Sequence, residues 1–345
     1  MAGPIAPAAT TISTARMSRV LRYEPRDLTI SVEAGLPYAE LSRILAESRQ
    51  MLPLDPPFAA RATVGGVIAA NCSGPRRRLY GTARDMVIGM TFATLEGKLV
   101  SSGGMVVKNV AGLDMAKLMI GSFGTLAAIA SVNFKLIPIP PGSRTWALSL
   151  ESLDEAIAAR DRILSGPLQP AAIDLLNPQA AAAAEFSGFT LLIQTGGSAA
   201  VLDRCGQEFP SAGAFEDAEE ARIWDAVREF IPRFLEATRR GAVVRASCAL
   251  SQAGAALASF PGPALARAAS GVCYGAFPGV EGASEWLQRT AQRGWKSVIE
   301  FAPPDAKAQL DMWPAPGPAL DLMKRVKGMF DSLGLLNAGR LYGRI

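Results

Sequence analysis

The residues most able to do chemistry in this chain are glycines interrupted by hydroxyl and amide side chains, concentrated between residues 51 and 141. Glycine lets the backbone approach a ligand closely or adopt positive φ, and neighbouring small polar side chains add hydrogen bonds without bulk. A single Gly-Gly pair is more often an ordinary turn. The density of the whole set instead predicts a site for a large phosphate-bearing cofactor. Its segments are Thr63–Asn71, Gly74–Arg76, Gly103-Gly104, Lys108–Gly112 and Gly121–Leu126.

Short patterned segments flank these glycines and predict the elements that position them. Leu28 to Ala34 alternates apolar and polar residues as a strand does, and a helix begins near Pro37. Thr63 can cap a short helix from Val64 to Asn71, whose free N–H groups would form an anion site. The other predicted elements of this half are strands 86–95, 98–101 and 125–137, a hairpin turn at Glu96-Gly97, and a helix 115–120 started by Asp114.

A Pro-rich run at 138–142 supports neither a helix nor a central strand, so it marks a domain boundary. The mixture of elements beyond it predicts an α+β domain. The predicted strands are 145–150, 189–194, 243–248 and 272–276, and the predicted helices are 154–164, 180–184, 219–230, 255–258, 264–269 and 319–333. The last helix carries an apolar stripe that predicts core packing. The stripe consists of Leu320, Met323, Val326, Phe330 and Leu333.

Composition bounds the class of protein. The chain has 345 residues, of which 49% are hydrophobic and 19% charged, which suits a folded two-domain protein and argues against disorder. No apolar stretch reaches the length of a membrane-spanning helix, so we expect a soluble protein. The net charge of +4 comes without a basic face carrying aromatic residues, which argues against nucleic-acid binding.

The absence of histidine and the scattered cysteines limit the catalytic and metal-binding chemistry that the chain can perform. The chain has no histidine, which removes the commonest general base and metal ligand and any histidyl-linked flavin. The four cysteines show no short spacing, so we expect no metal or iron–sulfur site and no disulfide, as in a reducing cytosol. They are Cys72, Cys205, Cys248 and Cys273.

The order of these motifs resembles the FAD-binding domain of the vanillyl-alcohol oxidase and p-cresol methylhydroxylase superfamily. Within it, the likeness is greatest to the FAD-binding subunits of bacterial glycolate oxidases. The resemblance is dense over Tyr23 to Pro140, thin through the middle, and returns in Leu336 to Tyr342. The residues that carry it are Gln50–Pro53, Pro56-Pro57, Thr63–Asn71, Gly74–Arg77, Arg84-Asp85, Lys108–Asp114, Gly121–Gly124 and Leu336–Tyr342.

The resemblance implies an α+β, two-domain flavoprotein: an FAD-binding PCMH-type domain followed by a ferredoxin-like α+β cap domain. The implied divisions are an irregular arm at 1–22, the FAD domain at 23–140, the cap at 141–317, and a C-terminal helix and tail at 318–345 returning to the FAD domain. Relatives carry a strand and a Gly-rich pyrophosphate loop before the position of Tyr23. Met1 to Ser18 shows no such loop, so we expect an N-terminally truncated FAD domain and weaker FAD binding.

The resemblance also implies non-covalent FAD and a set of cofactor-binding residues. That set is Pro53, Leu54, Thr63, Val64, Gly65, Gly66, Ala69, Asn71, Arg84, Asp85, Lys108, Asn109, Gly112, Asp114, Gly121, Ser122, Gly124 and Thr125. Asp85 lies either in a turn under the isoalloxazine or in a structural cap. Lys108 either hydrogen-bonds the cofactor or is solvated. The residues identify no catalytic group.

The implied function is that of an FAD-binding subunit of a multi-subunit glycolate, or 2-hydroxy acid, oxidase. Its expected partners are a sister FAD-linked oxidase subunit that oxidises the substrate and an iron–sulfur subunit that accepts electrons. Two alternatives stay open: a stand-alone FAD-dependent 2-hydroxy acid dehydrogenase with a tyrosine or carboxylate base, and a non-catalytic assembly subunit. We expect a location in the cytoplasm, either free or peripheral at the inner face of the membrane.

Overall fold

The structure, a computed structural model, describes residues 10–105, 113–307, 310–343 and 345. The predicted site residues Lys108, Asn109 and Gly112 therefore lie outside the described residues. Two compact units make up the chain. Unit 1 is Met1–Ser73, Gly81–Ile139 and Asp311–Ile345, and unit 2 is Gly74–Tyr80 and Pro140–Leu310.

The strands of the described residues are numbered in chain order. They are β1 (Val20–Glu24), β2 (Thr29–Glu33), β3 (Gln50–Met51), β4 (Val87–Ala93), β5 (Leu99–Gly103), β6 (Ala128–Lys135), β7 (Ile137–Pro138), β8 (Gly142–Leu150), β9 (Ala172–Leu176), β10 (Phe189–Gly197), β11 (Gly213–Phe215), β12 (Ala242–Ser247), β13 (Ala264–Arg267), β14 (Val272–Phe277) and β15 (Lys296–Phe301).

The α-helices are numbered in the same way. They are α1 (Tyr38–Glu47), α2 (Val64–Ala69), α3 (Arg77–Tyr80), α4 (Ala83–Met86), α5 (Ala116–Met119), α6 (Leu153–Ser165), α7 (Pro178–Ala183), α8 (Ala199–Glu208), α9 (Asp217–Arg228), α10 (Phe230–Ala237), α11 (Ala253–Ala258), α12 (Val280–Thr290), α13 (Pro304–Lys307) and α14 (Leu320–Phe330). Within the described ranges, no helix is long and apolar enough to cross a membrane.

Unit 1 contains a five-stranded antiparallel sheet with the order β1-β2-β6-β4-β5. The predicted strands 28–34, 86–95, 98–101 and 125–137 are confirmed as β2, β4, β5 and β6. All five residues of β2 are buried, because β2 pairs with a strand on each side and α2 packs against it. The sequence did not predict β1, since its edge position leaves none of its five residues fully buried and erases any apolar alternation.

Unit 2 contains an eight-stranded antiparallel sheet with the order β11-β8-β10-β9-β13-β14-β12-β15. The predicted strands 145–150, 189–194, 243–248 and 272–276 are confirmed as β8, β10, β12 and β14. The predicted helix 154–164 is α6, capped by Ser152, whose Oγ accepts a hydrogen bond from the Glu155 N–H at 3.2 Å. The predicted helix 219–230 is α9, which ends at Arg228.

The prediction of a helix at 264–269 is wrong. Ala264 to Arg267 forms strand β13, paired with β14 on one side and β9 on the other. All four residues of the strand are buried. Alanine favours helix in isolation, but burial between two partner strands supplies backbone hydrogen bonds and packing that outweigh that preference.

The apolar stripe predicted over 319–333 is correct only in part. The helix is α14, which ends at Phe330, and Leu333 lies beyond it with 72% of its surface exposed. Leu320 is buried as predicted, in a small cluster with Leu341 and Ile345. The most buried polar residue of the helix is Lys327, which the sequence analysis did not single out.

Candidate functional site

The centre of the candidate site is α2, a short helix that packs against β2 and β6. Its predicted cap is confirmed: the Thr63 Oγ1 accepts a hydrogen bond from the Gly66 N–H at 3.3 Å. Within the helix, the side chains of Val64 and Ile68 are buried, whereas Gly66 is exposed. The start of α2 therefore has a buried apolar face and, at Gly66, an exposed face that carries no side chain.

The prediction that the N–H groups at the start of α2 are free for an anion is wrong. The Val64 N–H donates to the Leu36 carbonyl at 2.9 Å, and the Gly65 N–H donates to the Ala34 carbonyl at 2.7 Å. The Gly66 N–H is bonded to the Thr63 side chain. The first two bonds hold the start of α2 against the segment that follows β2. Because all three N–H groups already have partners, the helix start has no free donors for an anion.

The two adjacent glycines have different structural roles. A Cβ atom at Gly65 would lie 2.7 Å from the Cβ of Ala34, so a side chain at this position would force the helix off the sheet. A Cβ atom at Gly66 would meet only the Thr63 Oγ1, at 3.1 Å. Gly65 is thus required for packing within the protein, whereas the open side of Gly66 leaves room for a ligand against the backbone.

The loop from Gly121 to Thr125 docks on the other end of α2. The Gly121 N–H donates to the Ile68 carbonyl at 3.1 Å, and the Phe123 N–H donates to the Ala69 carbonyl at 2.9 Å. Gly121 and Gly124 have positive φ, as do the non-glycine residues Asn71 and Phe123. The predicted residues Ala69, Asn71, Gly121, Ser122, Gly124 and Thr125 are therefore brought together with Thr63–Gly66 in one hydrogen-bonded set.

The predicted residues Pro53 and Leu54 are buried, and the Leu54 side chain is fully inaccessible. The Tyr38 hydroxyl donates to the Leu52 carbonyl and accepts from the Leu54 N–H at 3.2 Å. Asp55 follows with positive φ. Leu54 thus contributes its side chain to the core, and its N–H donates to the Tyr38 hydroxyl.

The open question about Asp85 is answered in part by its contacts. Its carboxylate accepts hydrogen bonds from the Thr82 N–H at 2.8 Å and the Thr82 hydroxyl at 3.1 Å, at the start of α4. The backbone hydrogen bond from Thr82 lowers the pKa of Asp85 below its usual value. Asp85 therefore caps α4. Arg84 beside it is exposed.

Asp114 does not start a helix by capping, because the residue at the N-cap of α5 is Met115. The Asp114 side chain is exposed, 3.8 Å from the ammonium group of Lys117. Lys117 donates to the Val87 carbonyl at 2.6 Å, and its burial lowers the pKa of this lysine. The hydrogen bond from Lys117 to Val87 joins α5 to β4.

Sequence reasoning missed the buried ion pair between Lys327 and Asp331, here called the tail clamp. The Lys327 ammonium lies 2.5 Å from the Asp331 carboxylate and donates to the Thr125 carbonyl at 2.7 Å and the Leu336 carbonyl at 2.9 Å. Asp331 also accepts the Leu335 and Leu336 N–H groups, at 3.0 and 2.7 Å. In the sequence, the sign of this ion pair is the i,i+4 spacing of its two residues.

The tail that follows the clamp contacts the Gly121–Thr125 loop. The Asn337 side-chain amide donates to the Phe123 carbonyl at 2.8 Å. The ring of Trp313 lies edge-on to that of Phe123 with 6.0 Å between centroids, and the Trp313 Nε1 donates to the Arg340 carbonyl at 3.1 Å. The loop is therefore held between α2 and the tail.

Comparisons with known proteins bear on this site. Residues 2–103 match a family model described as an FAD binding domain. Glycolate oxidase subunit GlcE of Escherichia coli (strain K12) is 38% identical over 152 residues, covering 44% of this chain and 42% of that protein. D-lactate dehydrogenase of Anaerostipes hadrus is 31% identical over 168 residues, covering 49% of this chain and 35% of that protein.

The solved structure of p-cresol methylhydroxylase with substrate bound has a TM-score of 0.72 at 13% identity, covering 96% of this chain and 79% of that one. The chain thus has an α+β fold similar to that enzyme's over nearly its whole length. It spans less than half the length of the two curated relatives.

Proposed function

We propose that this chain is an FAD-binding subunit of a multi-subunit 2-hydroxy acid oxidase, with glycolate as the first substrate to test. The observation that carries the proposal is the match of residues 2–103 to an FAD binding domain in a chain whose relatives are named for glycolate and D-lactate, both 2-hydroxy acids. The second compact unit would be the cap domain, of ferredoxin-like type.

The fit to FAD rests on backbone rather than on charged side chains. The open side of Gly66 and the positive-φ turn at Gly121 are surfaces that a flat, phosphate-bearing group could approach, whereas the side of Gly124 is covered by Asn337. Thr63 and Ser122 would hold these segments in place, since both accept backbone hydrogen bonds within the set. When bound, FAD would supply the hydride acceptor for oxidation of the hydroxy acid.

The proposal includes partner subunits because this chain lacks histidine and holds only four scattered cysteines. A sister flavoprotein subunit would bind and oxidise the acid, and an iron–sulfur subunit would take up the electrons. The Asp85 and Asp331 carboxylates are used as helix cap and tail clamp, and their lowered pKa values keep them ionised and weakly basic.

A pair of glycine variants tests FAD binding at α2. Gly66→Val should reduce the FAD content of the purified chain at least tenfold while its apo form loses no more than about 1–2 kcal/mol of stability. Gly65→Ala, the matched control, should destabilise the apo protein because its Cβ collides with Ala34. Unchanged FAD content in Gly66→Val would contradict the proposed site.

Activity separates the proposal from its alternatives. The chain alone, loaded with FAD, should show no dye-linked oxidation of glycolate or D-lactate, and co-expression with its flavoprotein and iron–sulfur partners should restore it. Oxidation by the lone chain would instead indicate a stand-alone dehydrogenase.

A second candidate function is that of a non-catalytic assembly subunit. The observation that favours it is the internal use of the Val64, Gly65 and Gly66 N–H groups, which removes donors that a pyrophosphate could have used. Failure of the chain to bind FAD by equilibrium dialysis, together with assembly of the partner complex, would support this function over the first.

A further inference from the structure

Two of the four cysteines are neighbours in the sheet of unit 2. Cys273 lies in β14 directly opposite Ala246 of β12, and Cys248 follows the end of β12, with its N–H bonded to the Gly271 carbonyl at 2.9 Å. Residues two apart on a strand share a face, so Cys248 and Cys273 project from the same face as a diagonal pair. The Cys248 thiol donates to the Gly271 carbonyl at 3.4 Å, and the Cys273 thiol donates to the Ala253 carbonyl at 3.7 Å.

The two thiols differ in access and in ionisation. Cys248 is half-buried, whereas Cys273 is fully buried. The interaction with the neighbouring Cys273 thiol and the nearby charge of Arg160 lower the pKa of Cys248 against the effect of its burial. The same interaction, together with burial, raises the pKa of Cys273 well above its ordinary value. The accessible sulfur is therefore the better nucleophile, and the buried one keeps its proton.

The two cysteines must approach each other before a covalent bond can form between them. A disulfide requires Cβ atoms about 3.5–4.5 Å apart, closer than a diagonal pair in a regular ladder. Cys248 lies just beyond the last residue of β12, opposite Gly271, which has a φ of +65° in the turn that leads into β14. Because Cys248 lies beyond the end of β12, a small movement of this residue leaves the hydrogen bonds in the middle of the β12–β14 pair intact.

We propose that Cys248 and Cys273 form a peroxide-reactive dithiol that closes to an intramolecular disulfide. The Cys248 thiolate attacks hydrogen peroxide, forming an S–O bond, breaking the O–O bond and releasing hydroxide. The sulfur of the resulting sulfenic acid is then attacked by Cys273. The S–S bond forms, the S–O bond breaks, and the Cys273 proton leaves with the hydroxyl as water. The sum converts two thiols and one peroxide into one disulfide and two waters.

Cys205 is the matched control within the same unit. It lies on α8 with 3% of its surface exposed, and burial raises its pKa. It should react with peroxide more slowly than Cys248 because both its access and its thiolate fraction are lower.

The experiment treats the full, folded chain with a slight molar excess of hydrogen peroxide and counts thiols after denaturation. The count should fall from the four free cysteines to two, with one cross-linked peptide joining Cys248 to Cys273, and dithiothreitol should restore all four. Cys205→Ser should give the same cross-link. Cys273→Ser should give no cross-link and a dimedone adduct at Cys248.

Three results would overturn the proposal. The first is a thiol count that stays at four, and the second is oxidation of Cys248 to a sulfinic acid without a cross-linked peptide. The third is a cross-link through Cys72 or Cys205. The wild-type chain alone distinguishes all three, so the result does not depend on whether a variant folds.

Discussion

Replacing Lys327 by methionine should destabilise unit 1 by about 3–5 kcal/mol, the usual cost of removing one partner of a buried ion pair. Methionine keeps most of the volume but leaves the Asp331 carboxylate, 2% exposed, without its cation. The Thr125 and Leu336 carbonyls lose their donor in the same change. Because whole domains are stable by only about 5–15 kcal/mol, this loss is a large share of the total.

Urea unfolding measures the total effect, and hydrogen exchange read by mass spectrometry locates it. Protection should fall in residues 121–126 and 331–342, which the tail clamp joins. Combining Lys327→Met with Asp331→Asn removes both charges and should recover at least ~1 kcal/mol, since no buried charge remains. Arg43→Met, which removes the exposed pairs with Glu40 and Glu47, should change the stability little.

The pH dependence gives an independent check of the clamp. Burial alone would raise the pKa of Asp331, but hydrogen bonds from Lys327 and from the N–H groups of Leu335 and Leu336 hold it below its usual value. The stabilisation should therefore be complete above the ordinary aspartate pKa of about 3.9 and be lost as pH falls through the lower folded value. A loss below about 1 kcal/mol in Lys327→Met, or a double variant less stable than the single one, would refute this account.

Three further predictions follow from the same contacts. Acid precipitation should release all flavin into the supernatant, because the chain has no histidine for attachment; colour retained in the pellet would refute this. Asp85→Ala should cost about 0.5–2 kcal/mol by thermal melting at neutral pH, and the difference from wild type should vanish as pH falls through the lowered folded pKa of Asp85. Arg267→Met should destabilise unit 2 by about 3–5 kcal/mol in urea because it removes the cation that pairs with the buried Asp174 carboxylate, whereas Arg204→Met at an exposed pair should change little.

Local patterns in the sequence determined much of unit 1. Apolar alternation located β2, the Glu96-Gly97 turn predicted the β4–β5 hairpin, and Thr63 marked the start of α2. These signals act between residues close in sequence, so they can be read without knowing the fold. Two of the glycine-rich segments, 63–71 and 121–126, are likewise stretches that the structure brings together around α2.

Several other elements were not predicted from the sequence. They are β9, α8, α10, α12 and β15, although α12 contains the fully buried Trp286. Strand β9 is buried on both faces, which removes its apolar alternation. Helices α8 and α12 each bury one face, so their helical spacing was a signal that the sequence analysis did not use.

Only the tertiary structure decided the roles of the residues at the site and in the sheets. It paired the Val64 and Gly65 N–H groups with the Leu36 and Ala34 carbonyls, respectively. It also made a strand of Ala264–Arg267 and buried Lys327 against a carbonyl some two hundred residues away. Each outcome depends on partners distant in sequence. The free energy of a buried donor, strand or charge is set by what surrounds it, and the identity of those surroundings exists only in the folded chain.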